Sequence, residues 1–125
     1  MLKATPQSAQ IVIIEDSATV RDMLAHIIRD EGYHVATYTT AVDGLKYLQS
    51  SPAPRLILLD RVLPYMSSDE FLQALQAEPS LSAIPVVVIS TYLYDEVAPL
   101  PYTVGYLEKP IAIDDLMQVV RRYCD

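Results

Sequence analysis

Five polar side chains follow short apolar or alternating runs, where a buried strand would end. They are Glu15 and Asp16 after run 11–14, Asp60 after 56–59, Ser90 after 84–89, and Lys109 after 103–108. Three carboxylates brought close together repel one another, so they should either bind a cation or shift a pKa. An all-oxygen set without His or Cys suits Mg²⁺, and the lysine suits an anion beside the metal, such as a phosphoryl group.

Each of these residues also has an ordinary structural explanation. Glu15 and Asp16 are acids of the kind that a helix N-terminus favours. Asp60 and Ser90 fit turns, and Lys109 fits a solvated surface. Their joint placement at four strand ends is harder to explain by chance, so we interpret the group as one site.

The runs that precede these residues indicate the elements that must position them. Apolar runs of about four residues are typical of parallel strands that are buried on both faces. Five strands are predicted, at 11–14, 33–38, 56–59, 84–89 and 103–108. Helical patterns lie between them, which predicts a doubly wound α/β sheet with right-handed crossovers. In such sheets ligands bind beyond the carboxyl ends of the strands, where the five polar residues fall.

Helix signals connect the predicted strands. Ser17 can cap a first helix and Thr40 can open a second. A capping-box pattern from Ser67 to Glu70 opens a third helix, and Pro110 opens the last. The predicted inward residues are Val20, Met23, Leu24, Ile27 and Ile28, then Ala41, Leu45 and Leu48, then Phe71, Leu72 and Leu75, and finally Ile113, Leu116, Met117 and Val120.

The stretch 91–102 is the unclear part of the chain. Its helical pattern is weak, and Pro99 and Pro101 are incompatible with a long regular helix. We therefore predict that the helix between the fourth and fifth strands is short, irregular or absent. Four tyrosines lie in the longer interval 91–108, and they serve either as a partner surface or as ordinary packing against the sheet. They are Tyr92, Tyr94, Tyr102 and Tyr106.

Length and composition limit the class of protein. The chain of 125 residues has the size of one domain, with residues 1–9 expected to be a flexible extension. Nine basic and sixteen acidic residues give a net charge of −7, which argues against an autonomous nucleic-acid binder. A single cysteine, Cys124, excludes an intrachain disulfide and a cysteine zinc site. No run approaches the ~20 apolar residues that span a bilayer, and no signal-peptide pattern is visible, so we expect a cytoplasmic protein.

Four segments together resemble the receiver domain of two-component response regulators. They are IVIIEDS at 11–17, LILLDRVLPYM at 56–66, VVVIS at 86–90 and GYLEKP at 105–110. Each segment is weak evidence alone, but their order and spacing cover nearly the whole chain. The resemblance implies a flavodoxin-like, five-stranded parallel sheet of strand order 2-1-3-4-5 with helices on both faces.

The resemblance also implies roles for the acidic residues. Asp60 would be the phosphoacceptor, whose carboxylate attacks a phosphohistidine on a partner protein. Asp16 and Asp60 would bind Mg²⁺ directly, with Mn²⁺ as a substitute. Glu15 would bind the metal through water, and the main-chain carbonyl of Val62 would be a further ligand. The metal would neutralise charge on the transferring phosphoryl group.

The remaining implied roles concern the phosphoryl group and the switch. Lys109 would pair with one phosphoryl oxygen and the Ser90 hydroxyl would bond to another, with Thr91 beside them. Thr91 stands where Ala or Gly is commoner, so its branched side chain would narrow access to the phosphoacceptor. Tyr106 matches the aromatic residue that turns inward when that hydroxyl moves towards phosphate. The peptide bond between Lys109 and Pro110 would be cis.

Further departures from the family pattern are expected to have consequences. Ser68 stands where the family usually has Gly, and Ser67 and Ser68 are expected to hold that turn by capping. The interval 91–108 is shorter than usual by about one helical turn. Val62 cannot orient a water and Tyr92 is bulky enough to shield the phosphoryl group. These two residues are expected to tune dephosphorylation and to make it slow.

The function implied by the resemblance is a phosphoacceptor switch of a two-component phosphorelay. It would catalyse its own phosphorylation and dephosphorylation without being a turnover enzyme. The expected phosphodonor is a sensor histidine kinase or a histidine phosphotransfer protein. An unidentified downstream protein, or a second copy in a homodimer, would contact the region from the fourth strand to the last helix. No direct contact with nucleic acid or membrane is expected.

Three other interpretations stay open. The chain is also compatible with a receiver module cut from a hybrid kinase or a larger regulator. An Asp-nucleophile phosphohydrolase of the haloacid-dehalogenase type would want a second acid at position 62, where Val62 stands. A flavodoxin-like cofactor binder would want a phosphate-cradling loop, and the chain has three glycines.

Overall fold

A five-stranded parallel sheet is the centre of the computed structural model, which describes residues 8–91 and 100–125. The strands are β1 (Ile11–Ile14), β2 (Val35–Tyr38), β3 (Leu56–Asp60), β4 (Val86–Ser90) and β5 (Gly105–Glu108). Their order across the sheet is β2-β1-β3-β4-β5, and all four neighbouring pairs are parallel. The predicted α/β class and strand order are therefore confirmed.

Helices cover both faces of this sheet. Within the described residues they are α1 (Ala18–Asp30), α2 (Ala41–Ser50), α3 (Ser68–Ala77) and α4 (Ile113–Cys124). Buried side chains of α1 and α4 form one core with the sheet, and those of α2 and α3 form a second core on the opposite face. None of these four helices has the length and apolar composition of a transmembrane span.

The central strands supply both cores at once. Successive residues of a strand point to opposite faces of the sheet. Ile11 and Ile13 therefore pack in the core of α1 and α4, and Val12 and Ile14 pack in the core of α2 and α3. All four are fully buried. Burial on both faces explains why this strand reads as a continuous apolar run in the sequence.

Three helices begin at the predicted caps. The side chains of Ser17, Thr40 and Ser67 each accept a hydrogen bond from the backbone N–H three residues further on. At the third helix, the Glu70 side chain accepts from the Ser67 backbone N–H, which completes the predicted capping box. These local signals are reliable because cap and backbone group are only three residues apart.

The last helix and one inward position of the first helix differ from prediction. α4 begins at Ile113 and not at Pro110, and it has no side-chain cap. Ile113 is 57% exposed, and the preceding Ile111 packs against the core instead. Met23 of α1 is 43% exposed, while the neighbouring Ala25 is buried. In both cases the apolar stripe in the sequence is wider than the surface that the sheet buries.

Three strands begin later than predicted, at the first residue that pairs in register. β2 begins at Val35 and not at 33, because the ladder with β1 starts there. β4 begins at Val86 and not at 84, opposite Ile57, and β5 begins at Gly105 and not at 103, opposite Val87. Propensity indicates where a strand can form, whereas the neighbouring strand decides where pairing begins.

The prediction of an irregular fourth helix concerns mostly residues 92–99, which lie outside the described residues. This range includes Tyr92, Tyr94 and Pro99. The described residues nearby, 91 and 100–104, are not helical. Pro101 and Tyr102 form a turn, in which Tyr102 has a φ of 65° and is 57% exposed.

Gly44 in α2 provides a stability test, because a Cβ there would lie 2.6 Å from Cδ1 of the fully buried Ile14. In a helix interior, Ala is usually more stable than Gly by about 1 kcal/mol. Overpacking a close-packed core costs about 1–3 kcal/mol. We therefore expect Gly44→Ala to lower the free energy of unfolding measured by urea titration.

The control for this prediction is Ile14→Val, which removes the Cδ1 atom and alone costs about 0.5–1.5 kcal/mol. The double variant should lose less free energy of unfolding than the sum of the two single losses, because the closest contact, at 2.6 Å to Cδ1, is gone and only the contact at 3.0 Å to Cγ1 remains. Strictly additive losses would contradict overpacking against Ile14 as the cause.

Candidate functional site

Three carboxylates meet at the carboxyl edge of the sheet because β1 and β3 are neighbours. Glu15 and Asp16 follow β1, and Asp60 is the last residue of β3. One carboxylate oxygen of each lies within 4.8 Å of the others. Glu15 is fully buried and Asp60 is 5% exposed, whereas Asp16 is exposed. The structure thus brings together the three acids that the sequence placed at two separate strand ends.

Lys109, in the loop between β5 and α4, links two of these acids. Its Nζ donates to Glu15 Oε1 at 3.1 Å and to Asp60 Oδ2 at 3.2 Å. The Lys109 side chain is 24% exposed, so solvent only partly screens this pair of contacts. The peptide bond between Lys109 and Pro110 is cis.

Burial and the crowding of charges shift two pKa values. The pKa of Glu15 is raised to about 8, mainly by burial, since the charged carboxylate loses its hydration, and in addition by the neighbouring Asp60. Lys109 acts in the opposite direction. Burial alone would lower the pKa of Lys109, but its contacts with Glu15 and Asp60 outweigh burial and raise it. The direction of the Glu15 shift agrees with the predicted pKa shift, but burial and not repulsion between the carboxylates is its largest cause.

The Glu15 Oε2 atom is buried and, within the described part of the chain, has no hydrogen-bond partner. A buried carboxylate oxygen without a partner is unfavourable unless it is protonated or binds a cation. The oxygen donors of Glu15, Asp16 and Asp60 suit a hard divalent ion such as Mg²⁺. These residues therefore fit the metal that the resemblance implies.

The turn after β3 holds the remaining oxygen of Asp60. Oδ1 accepts a hydrogen bond from the Val62 backbone N–H at 3.1 Å. The hydroxyl of Ser68 donates to the carbonyl oxygens of Asp60 and Arg61 at 2.6 and 2.9 Å. The expectation that Ser67 and Ser68 both act by capping is therefore wrong for Ser68. Only Ser67 caps α3, because the Ser68 hydroxyl is engaged by carbonyls of the preceding turn.

A cleft of about 290 Å³ opens beside the acids. Its described lining consists of Asp16, Asp60, Arg61, Val62, Ser90, Thr91 and Lys109. Ser90 is buried at the end of β4, and Thr91 and the Val62 side chain are exposed. The predicted site residues therefore converge, apart from two. Tyr106 of β5 does not line this cleft, and its hydroxyl accepts a hydrogen bond from the Leu100 N–H at 2.8 Å. Tyr92 lies outside the described residues.

Sequence reasoning missed Arg21 of α1. Its guanidinium donates to the main-chain carbonyl of Glu15 at 3.0 Å, and thereby holds the loop that carries Glu15 and Asp16. The available signal was a cation near the start of a helix, where the helix dipole disfavours positive charge. A basic residue at a position that the helix dipole disfavours indicates that another group binds it, and here that group is the main-chain carbonyl of Glu15.

Fold and site together define a class of signalling module, and comparison with known proteins agrees. Residues 11–121 match the model of the response regulator receiver domain, so the chain belongs to that family. The resemblance drawn from the four sequence segments is therefore confirmed.

Individual relatives have similar domains in different contexts. The chain is 26% identical over 117 residues to a 14.6 kDa protein from the sodA1 3′ region of Leptolyngbya boryana, covering 91% of this chain and 88% of that protein. It is 29% identical over 118 residues to the phosphate regulon transcriptional regulatory protein PhoB of Escherichia coli, covering 90% of this chain. The chain therefore spans half of the length of PhoB, 50%.

The fold itself is similar to that of the chemotaxis protein CheY4 of Vibrio cholerae. The two structures superpose with a TM-score of 0.80 at 24% sequence identity, covering 94% of this chain and 99% of that one. At this identity the likeness concerns the fold alone.

The raised pKa of Glu15 predicts how stability depends on pH without metal. The carboxyl keeps its proton up to about pH 8 in the folded protein, against a reference value of 4.5. Between these values the folded state binds more protons than the unfolded state. The free energy of unfolding should therefore fall as pH rises. In Glu15→Gln, the fall in the free energy of unfolding between pH 5 and 8 should be smaller than in the wild type by at least about 1 kcal/mol.

Urea titrations in chelator at pH 5, 6.5 and 8 measure this dependence. Glu108→Gln is the matched control, because it removes an exposed glutamate of β5 and should leave the pH dependence as in the wild type. Equal pH dependence in the wild type and Glu15→Gln would show that Glu15 does not retain its proton.

Proposed function

We propose that this receiver domain is a phosphoacceptor switch that takes a phosphoryl group on Asp60 in a Mg²⁺-dependent reaction. The observation that carries the proposal is the Asp60 carboxylate, which is held between the Lys109 ammonium and the Val62 N–H. It lies beside a Glu15 oxygen that has no hydrogen-bond partner among the described residues. This arrangement provides a nucleophile, a cation for the phosphoryl group and donors for a metal at one cleft. Membership of the response regulator family supports the same assignment.

In the proposed reaction an oxygen of Asp60 attacks the phosphorus of a phosphohistidine. An O–P bond forms while the P–N bond breaks, and the imidazole nitrogen leaves with the electron pair. Mg²⁺, when held by Asp16, Asp60 and the Val62 carbonyl and through water by Glu15, would neutralise charge on the phosphoryl group. Mn²⁺ could supply the same charge.

Two further residues would bind the phosphoryl oxygens. The Lys109 ammonium would pair with one oxygen, and it already lies 3.2 Å from Asp60 Oδ2. The hydroxyl of Ser90, at the end of β4 in the same cleft, would donate to another. Positioned charges of this kind are most of what phosphoryl transfer requires. The protein would thus catalyse its own modification and not turn over a substrate.

The proposed output runs from β4 to α4. Movement of Ser90 towards a phosphoryl group would leave space that Tyr106 of β5 could enter. The Tyr106 hydroxyl accepts from the Leu100 N–H, so its movement would also rearrange the chain before β5. A downstream protein or a second copy of the chain would recognise this change, including the exposed Tyr102.

The expected phosphodonor is a sensor histidine kinase or a histidine phosphotransfer protein in the cytoplasm. The match to half of PhoB leaves open that the same domain acts as a module of a longer regulator. Direct binding of nucleic acid by this domain is not proposed, because its net charge is −7.

Phosphorylation of Asp60 is tested by incubation with Mg²⁺ and acetyl phosphate, followed by intact-mass spectrometry. We expect one added phosphoryl group in the wild type and none with chelator or in Asp60→Asn. Asp43→Asn, which changes an exposed acid of α2, should be modified like the wild type. A phosphoryl group retained by Asp60→Asn would contradict the assignment.

The lifetime of the phosphorylated form provides a separate test. A hydrolysing water must approach in line with the acyl phosphate, and Val62 at the cleft offers no side-chain group to orient it. The sequence predicts that Tyr92, which lies outside the described residues, shields the phosphoryl group and that Thr91 narrows access, so hydrolysis should be slow. We expect Val62→Asn combined with Tyr92→Ser to speed the loss of phosphate severalfold, followed by mass after desalting.

The control for this lifetime is Val104→Asn, which changes an exposed valine before β5 that does not line the cleft. It should leave the decay rate unchanged. Unchanged or slower decay in the Val62 and Tyr92 double variant would show that this pair does not shield the phosphoryl group.

A further inference from the structure

Ser68, the first residue of α3, contacts the turn that leaves the phosphoacceptor strand. It is 2% exposed, and its hydroxyl lies 2.6 Å from the carbonyl oxygen of Asp60 and 2.9 Å from that of Arg61. Both distances are within hydrogen-bond range. A serine hydroxyl has a single proton, so the two carbonyls share one donor.

The peptide group between Arg61 and Val62 connects this hydroxyl to the Asp60 side chain. The Arg61 carbonyl accepts from Ser68, and the Val62 N–H of the same peptide donates to Asp60 Oδ1 at 3.1 Å. A trans peptide is planar, and its C=O and N–H point in opposite directions. Holding the carbonyl on one side therefore fixes the direction of the N–H on the other.

We propose that Ser68 is a positioning residue that orients the Asp60 carboxylate through the Arg61–Val62 peptide. The Asp60 carboxylate is held at Oδ1 by the Val62 N–H and at Oδ2 by Lys109. Without the Ser68 hydroxyl, the peptide can rotate and Oδ1 loses its aligned donor. This inference rests on the proposed function of Asp60 and adds how its side chain is aimed.

The neighbouring Ser67 has a different task and is the natural control. Its side chain accepts from the Glu70 N–H at 3.1 Å, and its own N–H donates to the Glu70 carboxylate. Replacement of this cap by alanine costs about 0.5–2 kcal/mol of stability. None of its side-chain contacts reaches the carbonyls of Asp60 or Arg61, so it separates a loss of stability from a loss of positioning.

The experiment compares Ser68→Ala, Ser68→Gly and Ser67→Ala with the wild type. Two substitutions remove the Ser68 hydroxyl, so that a folding defect peculiar to one does not decide the result. The first measurement is hydrogen exchange of the Val62 amide by NMR in metal-free buffer. The second is the rate constant of phosphorylation at saturating Mg²⁺ as a function of acetyl phosphate concentration.

Both Ser68 variants should exchange the Val62 amide faster. Their saturating phosphorylation rate constant should fall about tenfold, because a misaligned nucleophile loses the near-attack geometry. The acetyl phosphate concentration at half-saturation should change less than about twofold, since its binding groups remain in place. Ser67→Ala should unfold at a lower temperature but match the wild type in both measurements.

The proposal is overturned if both Ser68 variants match Ser67→Ala in amide exchange, in phosphorylation rate, or in both. An effect confined to a higher acetyl phosphate concentration at half-saturation would likewise overturn it, because that pattern indicates lost donor binding and not lost alignment. Absence of phosphorylation in the wild type would instead contradict the proposed function. In that case the Val62 exchange rates still decide whether Ser68 orients this peptide.

Discussion

The crowding of negative charge at one edge of the sheet is the constraint on which the site depends. A parallel sheet of this order places the ends of β1 and β3 side by side, and three carboxylates come with them. Burying a charge is costly unless it is paired. Lys109 offsets part of the charge through contacts at 3.1 and 3.2 Å, and a proton on Glu15 offsets another part.

This balance explains why the same cluster suits a metal. A divalent cation would replace the proton of Glu15 and neutralise Asp16 and Asp60, so that binding would release a proton. The three strand-end segments involved are far apart in the chain, since Lys109 lies 94 positions after Glu15. The site therefore exists only when the whole sheet is assembled, which would link the proposed metal binding and phosphoryl acceptance to folding.

Asp60, the proposed phosphoacceptor, is also constrained by the turn that follows it. Asp60 continues the sheet, since the next N–H, of Arg61, donates to Ile89 of β4 at 2.9 Å. The turn then bends so that the Val62 N–H reaches Asp60 Oδ1, and Ser68 binds the carbonyls on its other side. The strand holds Asp60 on one side and the hydrogen-bonded turn holds it on the other. As the proposed nucleophile, its carboxylate would therefore need little reorganisation to react.

Much of the fold and the residue types of the site could be predicted from the sequence by itself. The buried strands appear as apolar runs, and Ser17, Thr40 and Ser67 cap helices, because periodicity and capping act over a few residues. The strand-end positions of Asp60 and Lys109 indicated one site, since parallel strands end at a common edge.

The tertiary structure decided what depends on distant neighbours. The raised pKa of Glu15 requires burial and a carboxylate from another strand. The exposure of Met23 and Ile113 depends on how much of each helix the sheet covers. The role of Ser68 follows from carbonyls seven and eight residues earlier, which local capping rules do not consider. Burial and charge proximity are properties of the packed chain, and no short segment contains the information that sets them.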